Sequence, residues 1–137
     1  MTEEKEQKAQ RLYMEFQELD QHIKQVQKQI EMISSQLMEA TVTRNSLEEF
    51  GKIETGKEIF VPVSSGIFAK AEIKSNSELL INIGANVVVQ KNLDGAKKLI
   101  QGQIEEIKSA QKRIIEEYEK MTDKAAEMQS QLQAMLE

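Results

Sequence analysis

One stretch of this chain has the spacing of a nucleotide-binding loop. Gly51, Lys52, Ile53, Glu54, Thr55, Gly56 and Lys57 fulfil G-x-x-x-x-G-K, a pattern in which backbone amides and the lysine cradle phosphate groups. The next residue is Glu58, where the magnesium ligand requires Ser or Thr. The segment also leaves a helical pattern and enters a strand-like one, the reverse of the strand-to-helix context that aims amides at phosphate. It reads as a connector with Gly51 as a helix cap. His22 is the only histidine and has no ligand or nucleophile pattern around it, so it reads as a solvated helix residue. Acidic residues are abundant, but on helix faces they support pairs four apart, such as Glu116 with Lys120. Cysteine is absent, which excludes disulfides and thiolate metal sites. No catalytic constellation, metal or cofactor is expected, and the chain is not expected to be an enzyme.

The chemistry that remains is apolar contact. Met14, Met121, Met128 and Met135 are four of the seven methionines, and Leu12, Tyr13, Phe16, Leu132 and Leu136 accompany them near the two ends of the chain. Flexible thioethers and aromatics make an adaptable surface that can accept varied apolar partners. The plainer account is that Leu12, Leu19 and Met121 fill helix-packing positions. Tyr13, Met14 and Leu136 fall outside any such register.

Two helical arms must position these residues. Thr2 can cap a helix, and Glu3 and Glu4 place negative charge in its first turn. From there Ala9, Leu12, Phe16, Leu19, Ile23, Val26, Ile30, Ile33, Leu37, Ala40, Arg44 and Leu47 follow alternating steps of three and four, with Arg44 the single polar break. Such a seam of period 3.5 predicts a coiled coil, and at 1.5 Å per residue the arm would span roughly 60 Å. Asn92 and Asp94 can cap a second helix. Its seam runs Leu93, Lys97, Ile100, Ile104, Ile107, Gln111, Ile114, Tyr118, Met121, Ala125, Met128, Leu132 and Met135, with Lys97 and Gln111 as breaks. An antiparallel pairing puts Leu47 near Leu93 and Leu12 near Met128, brings the breaks Arg44 and Lys97 to one level, and lets Gln111 fix register.

Between the arms lies a short β-rich hub, residues 51–92, flanked by arms at 1–50 and 93–137. It contains four of the six glycines and the only proline. Strands are predicted at Glu58 to Val63, Ile67 to Ile73, Leu79 to Ile83 and Val87 to Gln90, each short and β-branched. Ser64, Ser65 and Gly66 supply one turn and Gly84, Ala85 and Asn86 the other, giving two hairpins linked through Lys74, Ser75, Asn76 and Ser77. Four short strands leave unpaired edges and an apolar face that thin arms do not cover. The hub is therefore expected to join other subunits through Ile59, Val61, Val63, Ile67, Phe68, Ile73, Leu79, Ile81, Ile83, Val87 and Val89.

Composition narrows the classes further. Apolar residues make up 39%, aromatics 4% and charged residues 30%, with a net charge of −5, which suits an elongated helix-rich protein better than a compact core. Lys and Arg alternate with Glu, so the basic footprint of a nucleic-acid binder is missing. The opening MTEEKEQKAQ has no apolar stretch and no run approaches membrane-spanning length. A cytoplasmic, soluble protein with neither nucleic-acid nor membrane partner is expected.

The order helix, two hairpins, helix, with EIFVPVSSGIFAKAEI and LLINIGANVVVQKN in the hub, resembles the prefoldin alpha class over essentially the whole chain. Val61-Pro62-Val63 with Ser65-Gly66 is similar to that family's first hairpin, and Asn82-Ile83-Gly84 with Val87-Val88-Val89 to its second. The fold class is then α+β: a long antiparallel two-helix coiled coil joined by two central β-hairpins that assemble into an inter-subunit β-barrel. The resemblance implies a hexamer of two alpha and four beta subunits. It also implies ATP-independent capture of unfolded clients at the coiled-coil tips and delivery to a group II chaperonin. The short termini suit an archaeal member. The rival reading is a structural coiled-coil scaffold or a filament-forming prefoldin-like protein.

Overall fold

A computed structural model describes residues 2–136. The element order is α1 (Glu3–Phe50), β1 (Glu58–Ser64), β2 (Ile67–Glu72), β3 (Leu79–Gly84), β4 (Val87–Lys91) and α2 (Leu93–Leu136). The chain divides into two compact units, one formed by Met1–Leu37 with Ile107–Glu137 and the other by Met38–Glu106.

Both helices begin where capping chemistry permits. The Lys5 amide donates to Thr2 Oγ1 at 3.4 Å, and Glu3, Glu4 and Glu6 occupy the first turn of α1, where the helix dipole favours anions. For α2 the cap is Asn92: its Oδ1 accepts from the Gly95 amide at 2.7 Å and its carbonyl from the Ala96 amide at 2.9 Å. Asp94 contributes charge in the first turn rather than a cap.

In the first unit the seams close on each other as the heptads require. Ile23, Val26 and Met121 form the buried cluster, with Leu19, Ile30, Ile114, Tyr118 and Ala125 packed against it. Fixing it takes few polar ties. Gln27 Nε2 donates to Tyr118 Oη at 3.0 Å, and Gln111 Nε2 to Ser34 Oγ at 3.4 Å. Every seam residue of both helices is buried or half-buried, including the three polar breaks.

The register differs from the one the spacing alone suggests. Leu12 shares a groove with Met135, and Leu19 shares one with Met128, so Leu12 is not the neighbour of Met128. In the second unit, taken by itself, Arg44 Nη1 reaches Gln101 Oε1 at 3.4 Å and Lys97 Nζ reaches Glu48 at 3.5 Å. Arg44 and Lys97 therefore sit about one turn apart, each matched to a polar residue of the opposite helix. A Cβ built on Gly51 would lie 2.6 Å from Leu93 Cδ2, so Leu93 packs onto Gly51. The glycine does not adopt the left-handed conformation of a helix cap; its amide still donates to the Leu47 carbonyl at 3.0 Å.

Each hairpin is a separate two-stranded sheet, β1 with β2 and β3 with β4. They share a bulge just before the turn, while the turns differ: in the first only Gly66 has positive φ, and in the second Gly84, Ala85 and Asn86 all do. The pairing register shifts between Pro62 and Ser64 in the first and between Asn82 and Gly84 in the second, which makes Val63 and Ile83 equivalent bulge residues. Two-residue turns follow, Ser65-Gly66 and Ala85-Asn86, with Gly66 at φ 76 and Asn86 at φ 61. Ile73 falls just outside β2, yet continues its pairing: the Gly56 amide donates to the Ile73 carbonyl at 2.7 Å and the Ile73 amide to the Lys57 carbonyl at 3.0 Å.

Candidate functional site

The glycine–lysine segment that could have bound phosphate is already committed. The amides of Lys52, Ile53, Gly56 and Lys57 donate to the carbonyls of Glu49, Phe50, Ile73 and Glu54 respectively. A phosphate loop needs those N–H groups convergent and free. Here they tighten the exit of α1 and fasten it to the end of β2. His22 is exposed beside Glu15, Glu18 and Lys124. Among the described residues no group of three His, Cys, Asp or Glu side chains is placed to hold a metal ion. Among the described residues no helix is long and apolar enough to cross a membrane.

The nine residues picked out near the chain ends lie in the first unit and separate into three kinds. Met121 and Met128 are buried at 9% and 7% exposure, so their thioethers serve the packing between helices. Leu12, Phe16, Leu132 and Met135 are half-buried seam residues. Tyr13, Met14 and Leu136 stand out in solvent at 53%, 62% and 73% exposure. An off-register residue points away from the partner helix, so these three add an outward apolar surface to a seam that ends in thioethers. Shallow grooves flank it. Leu12 and Met135 line one with Lys8, Arg11, Glu15 and Gln131; Tyr13 and Phe16 line another with Gln17, Asp20, Gln21 and Lys24. Shallow grooves that set two apolar residues among polar and charged ones suit extended segments of varied sequence better than one shaped ligand.

The hub residues form the second apolar surface. In the first hairpin Ile59 pairs with Ala71 and Val61 with Ala69, while Phe60 pairs with Lys70 and Pro62 with Phe68. Alternation then places Ile59 and Val61 on one face and Phe60, Pro62 and Phe68 on the other. In the second hairpin Ile81 pairs with Val89 and Asn82 with Val88. Leu79, Ile81 and Val89 are half-buried, and Leu79 and Ile81 close a cleft with Leu47 and Ile100 of the helices. Val63, Ile67, Phe68, Ile83 and Val87 are exposed.

Phe60, Leu80 and Val88 are exposed too, and they lie on the faces opposite to Ile59 and Ile81. Reading one buried face per strand passes over them. The signal was present: Ile59-Phe60-Val61 and Leu79-Leu80-Ile81 are unbroken apolar runs, the pattern of strands covered on both sides. A further residue that spacing does not reveal is Asn76. Its Nδ2 donates to the carbonyls of Ile53 at 2.7 Å and Gly51 at 3.5 Å.

Comparison with known proteins bears on the family and the fold. Residues 19–137 match the family model described as Prefoldin subunit. The "Prefoldin subunit alpha" of Thermofilum pendens is 30% identical over 126 residues, covering 92% of this chain and 98% of its own. Among solved structures, filamentous PFD from Methanocaldococcus jannaschii superposes with a TM-score of 0.73 at 14% identity, covering 84% of this chain and 95% of that one. The prefoldin beta subunit from Thermococcus strain KS-1 gives 0.61 at 16% identity, covering 93% and 90%. Two long helices around two β-hairpins, the family match along most of the chain and the alpha-subunit relative together show that this chain belongs to the prefoldin family, in its alpha class.

Proposed function

We propose that this chain is the alpha-type subunit of an ATP-independent chaperone that holds non-native proteins in the cytoplasm. The observation that carries the reading is the solvent-facing apolar group Tyr13, Met14 and Leu136, set at the ends of a helix pair whose own seam is already filled. Residues that contribute nothing to that packing are free to contact a client. Assembly falls to the hairpins, which join beta-type subunits as two alpha and four beta chains through strand edges and the apolar faces just described. The edges would close into an inter-subunit β-barrel, which leaves no unpaired strand. Binding at several linked tips raises effective concentration, so weak contacts add up to useful retention. Release requires no chemistry, only competition by a group II chaperonin that receives the client.

A triple substitution, Tyr13→Ser, Met14→Ser and Leu136→Ser, tests the carrying observation. Since the three are exposed, helicity and thermal unfolding should stay within error. Suppression of aggregation of a denatured test protein by the assembled complex should weaken about tenfold, the effect of roughly 1.4 kcal/mol lost from apolar contact. Unchanged suppression would remove these residues from the client surface.

A second reading, in which the hubs build filaments and the arms space other partners, draws on the fold shared with the filamentous PFD. Native mass measurement with a beta-type partner separates the two. A closed hexamer supports the chaperone, and an open series of sizes supports the scaffold.

A further inference from the structure

The two hairpins share no strand pairing, so the β-ladders themselves leave their mutual orientation undetermined. Yet assembly through both at once requires a defined angle between them. The only covalent path from β2 to β3 is the linker from Ile73 to Glu78, which is irregular and by composition would be loose. Beyond the backbone bonds of Ile73, one side chain ties it to the end of α1. Asn76, half-buried, directs its side-chain amide at the Ile53 carbonyl at 2.7 Å and the Gly51 carbonyl at 3.5 Å. Both acceptors belong to the segment where α1 ends.

The chemistry at this point is specific to asparagine. A carboxamide NH₂ carries two donor hydrogens, which can serve two carbonyls at once. Aspartate has the same shape but would turn an acceptor toward two acceptors, and serine offers a single hydrogen. The neighbouring serines do something different. Ser75 Oγ lies 3.0 Å from Ser77 Oγ and accepts from the Ser77 amide at 3.2 Å, which folds the linker locally without tying it to the helix. The Gly56–Ile73 and Ile73–Lys57 backbone bonds extend the ladder of the first hairpin beyond β1 and β2. The linker to the second hairpin is tied to the end of α1 by the Asn76 side chain, and β3 itself meets Leu47 and Ile100 through Leu79 and Ile81.

We propose that Asn76 is the positioning residue that sets the second hairpin at a fixed angle to the first, and that this preset angle is what makes the chain competent to join its partner subunits. The assembly half of this inference rests on the function proposed above, whereas the orientation half concerns the single chain alone. Because the protein contains no cysteine, Ser65→Cys and Gln90→Cys place one spin label on each hairpin of the full-length chain at exposed positions. Pulsed electron–electron resonance on the unassembled chain should give one narrow distance distribution. Asn76→Ala and Asn76→Asp should broaden it, with Asn76→Ser intermediate, while Ser77→Ala should leave it as in the parent.

Association with a beta-type subunit, followed by native mass measurement, should weaken about tenfold in the Ala and Asp variants, as expected for the loss of two hydrogen bonds. The graded serine variant keeps the test open if either stronger substitution disturbs folding. A distribution that stays narrow in all three variants would overturn the proposal, and so would broadening with undiminished association. Failure of the parent chain to associate at all would count against the proposed function, and the distances would still decide the role of Asn76.

Discussion

Deleting residues 1–16 and 125–137 will leave the oligomer intact and strip most of its ability to keep a denatured protein in solution. The deletion removes the exposed Tyr13, Met14 and Leu136 together with the half-buried Leu12, Phe16, Leu132 and Met135. It spares the cluster of Ile23, Val26 and Met121 with Ile30, Ile114 and Tyr118 around it, so the helix pair still has a core. It also spares every residue of the hairpins. If each alpha tip contributes about 1.4 kcal/mol to a linked contact, losing two of them weakens retention roughly 100-fold. Light scattering of the complex alone should show the same stoichiometry as the full-length form. In the aggregation assay the truncated complex should retain only the suppression that the tips of the beta-type chains supply. Full suppression by it would move client binding elsewhere on the molecule.

The second large effect belongs to the hub. Replacing Ile81 and Ile83 by lysine should dissociate the oligomer. The two act differently, which makes the pair informative. Ile83 is the bulge residue of β3, 48% exposed, and its packing within the chain is slight. Ile81 is half-buried and closes the cleft with Leu47, Leu79 and Ile100. Ile83→Lys should therefore leave the isolated chain folded while placing an unpaired ammonium in the subunit interface. A buried uncompensated charge costs roughly 3 kcal/mol or more, which weakens association at least about 100-fold. Ile81→Lys should add a loss of thermal stability in the chain itself, because the cleft loses an apolar wall. Sedimentation of each variant with a beta-type partner checks both. Retention of the full assembly by Ile83→Lys would contradict hub-mediated association.

The arms were readable because one physical rule dominates them. A 3.5-residue apolar repeat can be buried only against another such repeat, and each seam position from Ala9 to Leu47 and from Leu93 to Met135 is buried or half-buried. Register was not readable from the same rule. Sliding one seam past the other by a turn keeps apolar residues opposite apolar residues, so the repeat alone leaves the choice open. The hairpins were legible from β-branched runs punctuated by Gly66 and Gly84, to within a residue or so at each end. Their two-sidedness was harder to read: Phe60 and Leu80 sit between residues of the expected face, and alternation assigns them to solvent although their chemistry does not. Asn76 was invisible for another reason. In sequence it is a turn residue among serines, and its two acceptors lie more than twenty positions away.

The glycine–lysine loop shows the opposite case, in which sequence context was sufficient. A pattern match at residues 51–57 was discounted for its missing Ser or Thr and its helix-to-strand setting. The amides that would face a phosphate are bonded to carbonyls of the last turn of α1, of the connector and of Ile73 just past β2. Local spacing names the residues, and the surrounding elements decide what their backbone can do.

The central claim is that apolar contact at the helix ends, organised by assembled hubs, holds clients without nucleotide. The most direct measurement is light scattering from a chemically denatured test protein diluted into buffer containing the complex assembled with a beta-type subunit, with ATP and magnesium omitted. Aggregation should be suppressed at near-stoichiometric complex and should not change when ATP is added. Suppression that is absent, or that appears only with ATP, would contradict the account.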